Sequence, residues 1–287
     1  MNILASILLV IHSFALWGDL GVHFEPLDAT SSQWRQTLQP LGGAGTDIGL
    51  GYRMNQNGFL WQTGVQVGYR YSAIKAPDFQ ETYPMWDTEM QPMEMYFDFT
   101  SIHEQHQCLH AQLSLLFGYE TTRGFYFLAG PQVGYAFYHF SNVHSQVTTQ
   151  GRYDEFIGLD GAGLFTDMPD HFFDTQLRTT RTTYRPVPTL SLFFEIGYNV
   201  PLRQRRRSKN QSVSIALFAE YGGILTGHNT TSIPRATYPN QPLEKNFYPW
   251  ANPFLFEDAS RMVGNLLAGV KITYLLSSPP TYNCHCD

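Results

Sequence analysis

Three cysteines among 287 residues are too few for a disulfide framework, and two of them, Cys284 and Cys286, sit almost side by side in the tail. Charge is scarce as well: Asp, Glu, Lys and Arg make up 15%, with a net charge of −6. An acidic balance offers polyanions little attraction, so nucleic acid is not expected as a partner. Beyond Ala15 no run is long and apolar enough for a transmembrane helix. These absences exclude a disulfide-stapled scaffold, a nucleic-acid binder and a helical membrane protein. What the chain has in quantity is aromatic side chains, 21 Phe and 17 Tyr among them.

Those aromatics fall into a pattern. In the run from Phe59 to Tyr71, Phe59, Trp61, Thr63, Val65, Val67, Tyr69 and Tyr71 share one face of an extended chain. Gln62, Gly64, Gln66, Gly68 and Arg70 fall on the other, with Leu60. An apolar face that is aromatic at both ends, backed by a polar or tiny one, is the pattern of a strand between lipid and a wet lumen. The alternation recurs over 16–25, 44–54, 108–119, 125–140, 186–200, 212–225 and 262–276. Eight strands result. Short connections (55–58, 120–124, 201–211) alternate with long ones (26–43, 72–107, 141–185, 226–260), and within the second long one Met93 to Ser101 reads as a strand extension above the membrane. An up-and-down antiparallel transmembrane β-barrel with long extracellular loops and periplasmic termini requires that alternation, and an even strand count allows closure. Pro131, inside the fifth strand, predicts a local bulge.

The start of the chain reads as a secretory signal peptide. An apolar run from Ile3 to Ile11 precedes Ser13-Phe14-Ala15, although no Lys or Arg stands before it. The expected organisation is a leader over 1–15, a barrel over 16–276 and a short periplasmic tail over 277–287. Export followed by barrel strands places the protein in a bacterial outer membrane.

By the fourth and fifth strands a resemblance can be named. L-S-L-L-F-G-Y, a short turn and F-Y-F-L-A-G-P-Q-V-G-Y resemble the small outer-membrane barrels of Bacteroidota, in the OmpA-like or porin-family group. L-F-A-E-Y-G from Leu217 and G-V-K-I-T-Y-L-L from Gly269 extend the likeness. It implies the barrel fold without the peptidoglycan-binding domain of full-length OmpA-type proteins, and it implies no reaction.

The inward positions carry the candidate chemistry. Asp19, Glu25, Asp47, Glu195 and Glu220 are acids; Arg53, Arg70 and Lys271 are bases. An eight-stranded barrel is just wide enough for side chains to fill, so these groups are expected to pair into a polar plug. The alternative is a narrow, gated small-solute pore whose ion pairs exchange partners. Trp61, Val65, Val67, Leu113, Leu115, Val133, Ile196, Leu217, Val270 and Ile272 are expected to face lipid.

Other features carry weaker readings. His106, Cys108 and His110 share a strand face and are zinc-type ligands, yet their spacing of roughly 7 Å per step is too wide for one ion. His23, His110 and His139 near strand ends leave room for an enzyme acting on lipid or peptide at the rim, but no nucleophile follows from the sequence. Cys284-His285-Cys286 lacks the spacing of a strong metal motif. Arg203, Arg205, Arg206, Arg207 and Lys209 crowd one short turn, where anionic headgroups would meet them.

The expected role is therefore structural or surface-interacting. Outer-membrane lipid surrounds the barrel, and a ligand, partner protein or larger envelope complex engages loops 72–107, 141–185 and 226–260. Tyr153, Phe156, Phe172, Phe173, Tyr238, Phe247, Tyr248 and Trp250 are their candidate contact aromatics. No cofactor is expected.

Overall fold

The computed structural model describes residues 10–28, 39–87, 90–153, 164–165, 176–202, 211–225, 236–237, 250–252 and 262–277. Thirteen strands occupy them. They are β1 (Val10–Asp28), β2 (Gln39–Gln56), β3 (Phe59–Lys75), β4 (Phe79–Trp86), β5 (Pro92–Glu120), β6 (Phe125–Arg152) and β7 (Leu164–Phe165), then β8 (Gln176–Tyr184), β9 (Val187–Pro201), β10 (Gln211–Leu225), β11 (Ala236–Thr237), β12 (Trp250–Ala251) and β13 (Met262–Ser277). Eight of these pair in the circular order β1-β2-β3-β5-β6-β9-β10-β13, every pair antiparallel, and β13 returns to β1. Leu16 has Leu50 on one side and Tyr274 on the other, so the ring is closed. The fold is an eight-stranded antiparallel up-and-down barrel.

Local chemistry sets the tight ends. Asn57 and Gly58 both hold positive φ, 54° and 89°, the two-residue turn whose twist matches its flanking strands. The Asn55 side chain accepts from Gly58 N at 3.0 Å and pins it. At the next turn Gly124 takes φ 90° and donates to the Thr121 carbonyl at 2.9 Å.

The outer wall is a belt of exposed apolar side chains. Ile48, Ile196 and Leu217 are 70%, 69% and 67% exposed; Val65, Val67, Leu113, Leu115, Val133, Val270 and Ile272 also point out, and Trp61 is half-buried. Phe59, Tyr119, Phe125 and Tyr198 ring the short-turn end, and Tyr69, Tyr135, Tyr138 and Tyr221 ring the other. From Phe59 to Tyr69 a strand tilted about 40° climbs roughly 25 Å, the height of a membrane's apolar band. Water would not leave so large a patch uncovered.

Several expectations need correcting. The long connections over 72–107 and 141–185 are largely strand. β5 runs for 29 residues and β6 for 28, so both rise well past the belt. β4 pairs with β5, and β8 pairs with β6, giving a projecting sheet β4-β5-β6-β8. Its inner face buries Phe79, Met85, Met93, Met95, Phe97, Phe99, Val143 and Val147 as one core. The prolines that make 72–107 look irregular stand where strands tolerate them: Pro77 between β3 and β4, Pro84 on the outermost strand of this sheet, and Pro92 as the first residue of β5.

Pro131 makes no bulge. The β5–β6 register is the same on either side of it, with the pairs opposite Gly130 and Pro131 missing, while its β9 side stays continuous. The absent donor is accommodated by a gap in one ladder. The register shifts fall instead between Leu109 and His110 and between Thr100 and His103.

β1 begins at Val10, inside the expected leader, and Val10 to Ala15 pair with Gln56 to Gly51. Of β1 side chains only that of Ala15 is described. Residues 1–9 and the tail from 278, with Cys284, His285 and Cys286, lie outside the described residues.

Candidate functional site

The lumen is built by the inward half of each alternation. Among the described residues three carboxylates (Asp47, Glu195, Glu220) meet three cations (Arg53, Arg70, Lys271), all of them buried. Asp19 is placed as backbone only, in register with Lys271 and Asp47; the side chain of Glu25 lies outside the described residues.

Two charged centres result. In one, Lys271 Nζ donates to Glu195 Oε2 at 2.7 Å and Tyr126 OH donates to Oε1 at 2.6 Å. Arg53 Nη2 stands 3.7 Å from the same Oε1, and its Nε donates to Gln62 at 2.8 Å. Aromatic faces close the space: Lys271 Nζ lies 4.9 Å from the Phe193 ring centre and Arg53 Cζ 4.8 Å from that of Tyr126. In the other centre Arg70 Nη2 donates to both oxygens of Glu220, at 2.8 and 2.7 Å. Gln112 Nε2 donates to Glu220 Oε1 at 3.3 Å, and Gln112 Oε1 accepts from Gln66 Nε2 at 2.9 Å.

The filling is not wholly polar. Leu60, Leu116, Leu128, Phe193, Phe218 and Leu267 also point inward and pack into a cluster, with Phe193 and Phe218 stacked at 5.5 Å. Alternation alone suggested a mostly polar interior. The apolar layer instead lies beside the Glu195 centre and lowers the local dielectric around it.

The histidines go to carboxylates. His110 Nε2 lies 3.0 Å from Asp47 Oδ1, although β3 runs between their strands. Gly68 explains the contact. It is the register partner of both Asp47 and His110, and a Cβ there would fall on Asp47 Oδ1. The missing side chain is the opening through which the pair meets. His106 Nε2 lies 3.0 Å from Glu104 Oε1, which also accepts from Ser141 at 2.8 Å. His139 stacks on Tyr184 at 4.5 Å. Beyond the belt, burial and then the Glu104 carboxylate push the Tyr184 phenol above its usual range.

His106, Cys108 and His110 therefore share a buried face of β5, but the two imidazoles turn to different acids. No cluster of three or more metal-ligating side chains occurs among the described residues. At the rim the Ser141 hydroxyl is directed to a carboxylate rather than to an imidazole, which is not the geometry of a base-activated nucleophile. Glu104 and Ser141 carry no signal at the level of sequence, because they fall in the two stretches, 72–107 and 141–185, read as loop.

Of the candidate contact aromatics, Tyr153 is buried and donates to Asp87 Oδ2 at 2.7 Å, a correction to its expected exposure. Trp250 is placed as backbone only, in β12. Phe156, Phe172, Phe173, Tyr238, Phe247 and Tyr248 lie outside the described residues, as do Arg203 to Lys209 and the side chain of His23.

No family model and no curated protein matches the chain. Among solved structures it resembles Ail, the attachment invasion locus protein of Yersinia pestis, in complex with the heparin analogue sucrose octasulfate. That match has 9% identity over 93% of this chain and 97% of that one, with a TM-score of 0.25. It also resembles Neisserial surface protein A, at 8% identity over 93% and 96%, with a TM-score of 0.27. At these values the fold rests on the closed strand pairing itself.

Proposed function

We propose that this protein is a bacterial outer-membrane barrel whose lumen is sealed by its own side chains and which works through the sheet and loops at its long-loop end. The reading is carried by the filled interior: Lys271, Glu195, Arg53, Arg70 and Glu220 are ion-paired and buried, and Phe193, Phe218 and Leu267 pack among them. A conducting lumen would keep such groups hydrated. The projecting β4-β5-β6-β8 sheet supplies a surface, on which Trp86, Met90 and Leu177 are exposed at 51%, 63% and 78%.

Two measurements test it. In planar bilayers the purified protein gives no sustained conductance; steady opening would make it a narrow pore instead. A Leu177→Cys protein on intact cells reacts with a membrane-impermeant thiol reagent above the background of the unsubstituted protein, whereas Thr122→Cys does not. The opposite labelling pattern would invert the assigned orientation.

A further inference from the structure

On the outer wall the chemistry changes just above the aromatics of the long-loop end. Tyr69, Leu109 and Tyr138 stand in one row across β3, β5 and β6. The next outward row holds Tyr71, Gln107, Phe140 and Thr183. Above it come Ala73, Gln105, Asn142 and Arg181, then Lys75, His103, His144 and Thr179. Rows lie two residues apart on strands tilted about 40°, so each rises roughly 5 Å above the last. Amides and hydroxyls thus replace aliphatic groups, and positive charge comes with them. Lys75, Arg181 and Arg185 are exposed, and none has a carboxylate partner among the described residues. Outward carboxylates on this sheet begin higher, at Asp98 and at Asp78, which accepts from Ser101 N at 3.0 Å.

Arg181 is held in place. Its Nη2 donates to Tyr138 OH at 2.7 Å, and its Cζ lies 4.1 Å from the Phe140 ring centre. The side chain leans down the wall, so its charge stands about one row above the aromatics. Of its five N–H donors, at least three have no acceptor among the described residues. A planar donor edge fixed at that height suits a phosphate. The headgroup layer of a phospholipid leaflet is roughly 5–8 Å deep. It would reach the Arg181 charge but not the Lys75 row, some 15 Å up by the same spacing. A longer headgroup spans both, and the amides of Gln105 and Asn142 between them suit sugar hydroxyls. A soluble polyanion lying along the sheet would instead meet Asp78 and Asp98. We propose that this part of the wall binds a phosphorylated glycolipid of the outer leaflet. Its acyl chains lie on the belt beside Leu113 and Val133, a phosphate sits on Arg181, and sugar hydroxyls meet Gln105 and Asn142. The site rests on the outward orientation of the projecting sheet proposed above.

The test is native mass spectrometry of the full chain in polyoxyethylene micelles, offered equal amounts of monophosphoryl lipid A, its phosphate-free form and phosphatidylglycerol. Monophosphoryl lipid A should be retained about fivefold over either comparison lipid, the effect of one cation at an anionic lipid surface. Arg181→Gln should lose that preference, whereas Arg123→Gln, an exposed arginine at the opposite end, should keep it. Thermal unfolding checks the fold of both variants, and the three lipids on the unsubstituted protein decide the matter even if Arg181→Gln misfolds. Equal retention of the phosphate-free form removes the phosphate contact, and equal retention of phosphatidylglycerol removes the sugar contact; either overturns the proposal. So does an unchanged preference in folded Arg181→Gln. Orientation is read separately, by the cysteine labelling above, because binding in micelles does not depend on which way the barrel is inserted.

Discussion

Arg70→Met is the sharpest perturbation the lumen offers. Arg70 is 9% exposed and Glu220 1%, with two contacts below 3 Å between them. Removing the guanidinium leaves a carboxylate inside a barrel wall with, among the described residues, only Gln112 donating to it, at 3.3 Å. Stranding one member of a buried pair costs about 3–5 kcal/mol. At roughly 2–4 °C per kcal/mol for a chain of this size class, the melting midpoint should fall by about 6–20 °C. The double variant Arg70→Met/Glu220→Met should recover most of that loss, because apolar replacement of a whole buried pair is often neutral or better. The assay is urea unfolding of protein refolded into lipid vesicles, followed by tryptophan fluorescence, as a double-mutant cycle. The expected coupling is at least about 2 kcal/mol. A single-variant loss under about 1 kcal/mol, or strictly additive effects, would refute the claim that this pair is buried and coupled.

Three further outcomes follow from other parts of the molecule. Leu217→Arg, in the middle of the belt, should cost about 2–4 kcal/mol in vesicle refolding, whereas Leu177→Arg on the projecting sheet should cost almost nothing; equal costs would show that the belt does not meet lipid. Gly68→Ala puts a methyl group on Asp47 Oδ1, so it should separate Asp47 from His110 and destabilise by about 1–3 kcal/mol, measured by the same unfolding, with Gly45→Ala, whose methyl would come closest to the end of the Leu267 side chain, at 3.2 Å, as a milder comparison. Phe97→Ala should open a cavity worth about 3–5 kcal/mol in the core of the projecting sheet, seen as new protease cleavage in β4 and β5 while the belt-enclosed fragment survives; wholesale digestion would mean that sheet and barrel unfold as one.

How far the sequence could be read depended on the range of the interaction. Alternation is local, so the face occupied by Val65 or Gln66 is legible from a few neighbours. The partner of Arg70 is not, because Glu220 stands 150 residues away and meets it only across the closed lumen. The pairing of His110 with Asp47 needed the register of three strands and the absence of a side chain at Gly68. His106, Cys108 and His110 looked like ligands because sequence shows spacing along one strand, but it does not show that His110 turns to Asp47 on another strand or that His106 turns to Glu104 two residues before it. The length of β5 was obscured by prolines at positions a strand accepts, whereas the extension of β6 over 141–152 holds none and was hidden by its polar residues. Met93 to Phe99 nonetheless alternates as plainly as any span below it.

The seam between β1 and β13 differs from every other joint in the ring. Seven of the eight junctions link strands that follow one another in the ring as the chain is made, so each can form as a hairpin or a short step. The eighth joins Leu16 to Tyr274, and it can form only after everything between them has been laid down. Until then the outer rims of β1 and β13 carry bare amides and carbonyls that hydrocarbon will not accept. In a barrel that enters a membrane, as proposed above, this last pairing is the one that hides those groups from lipid.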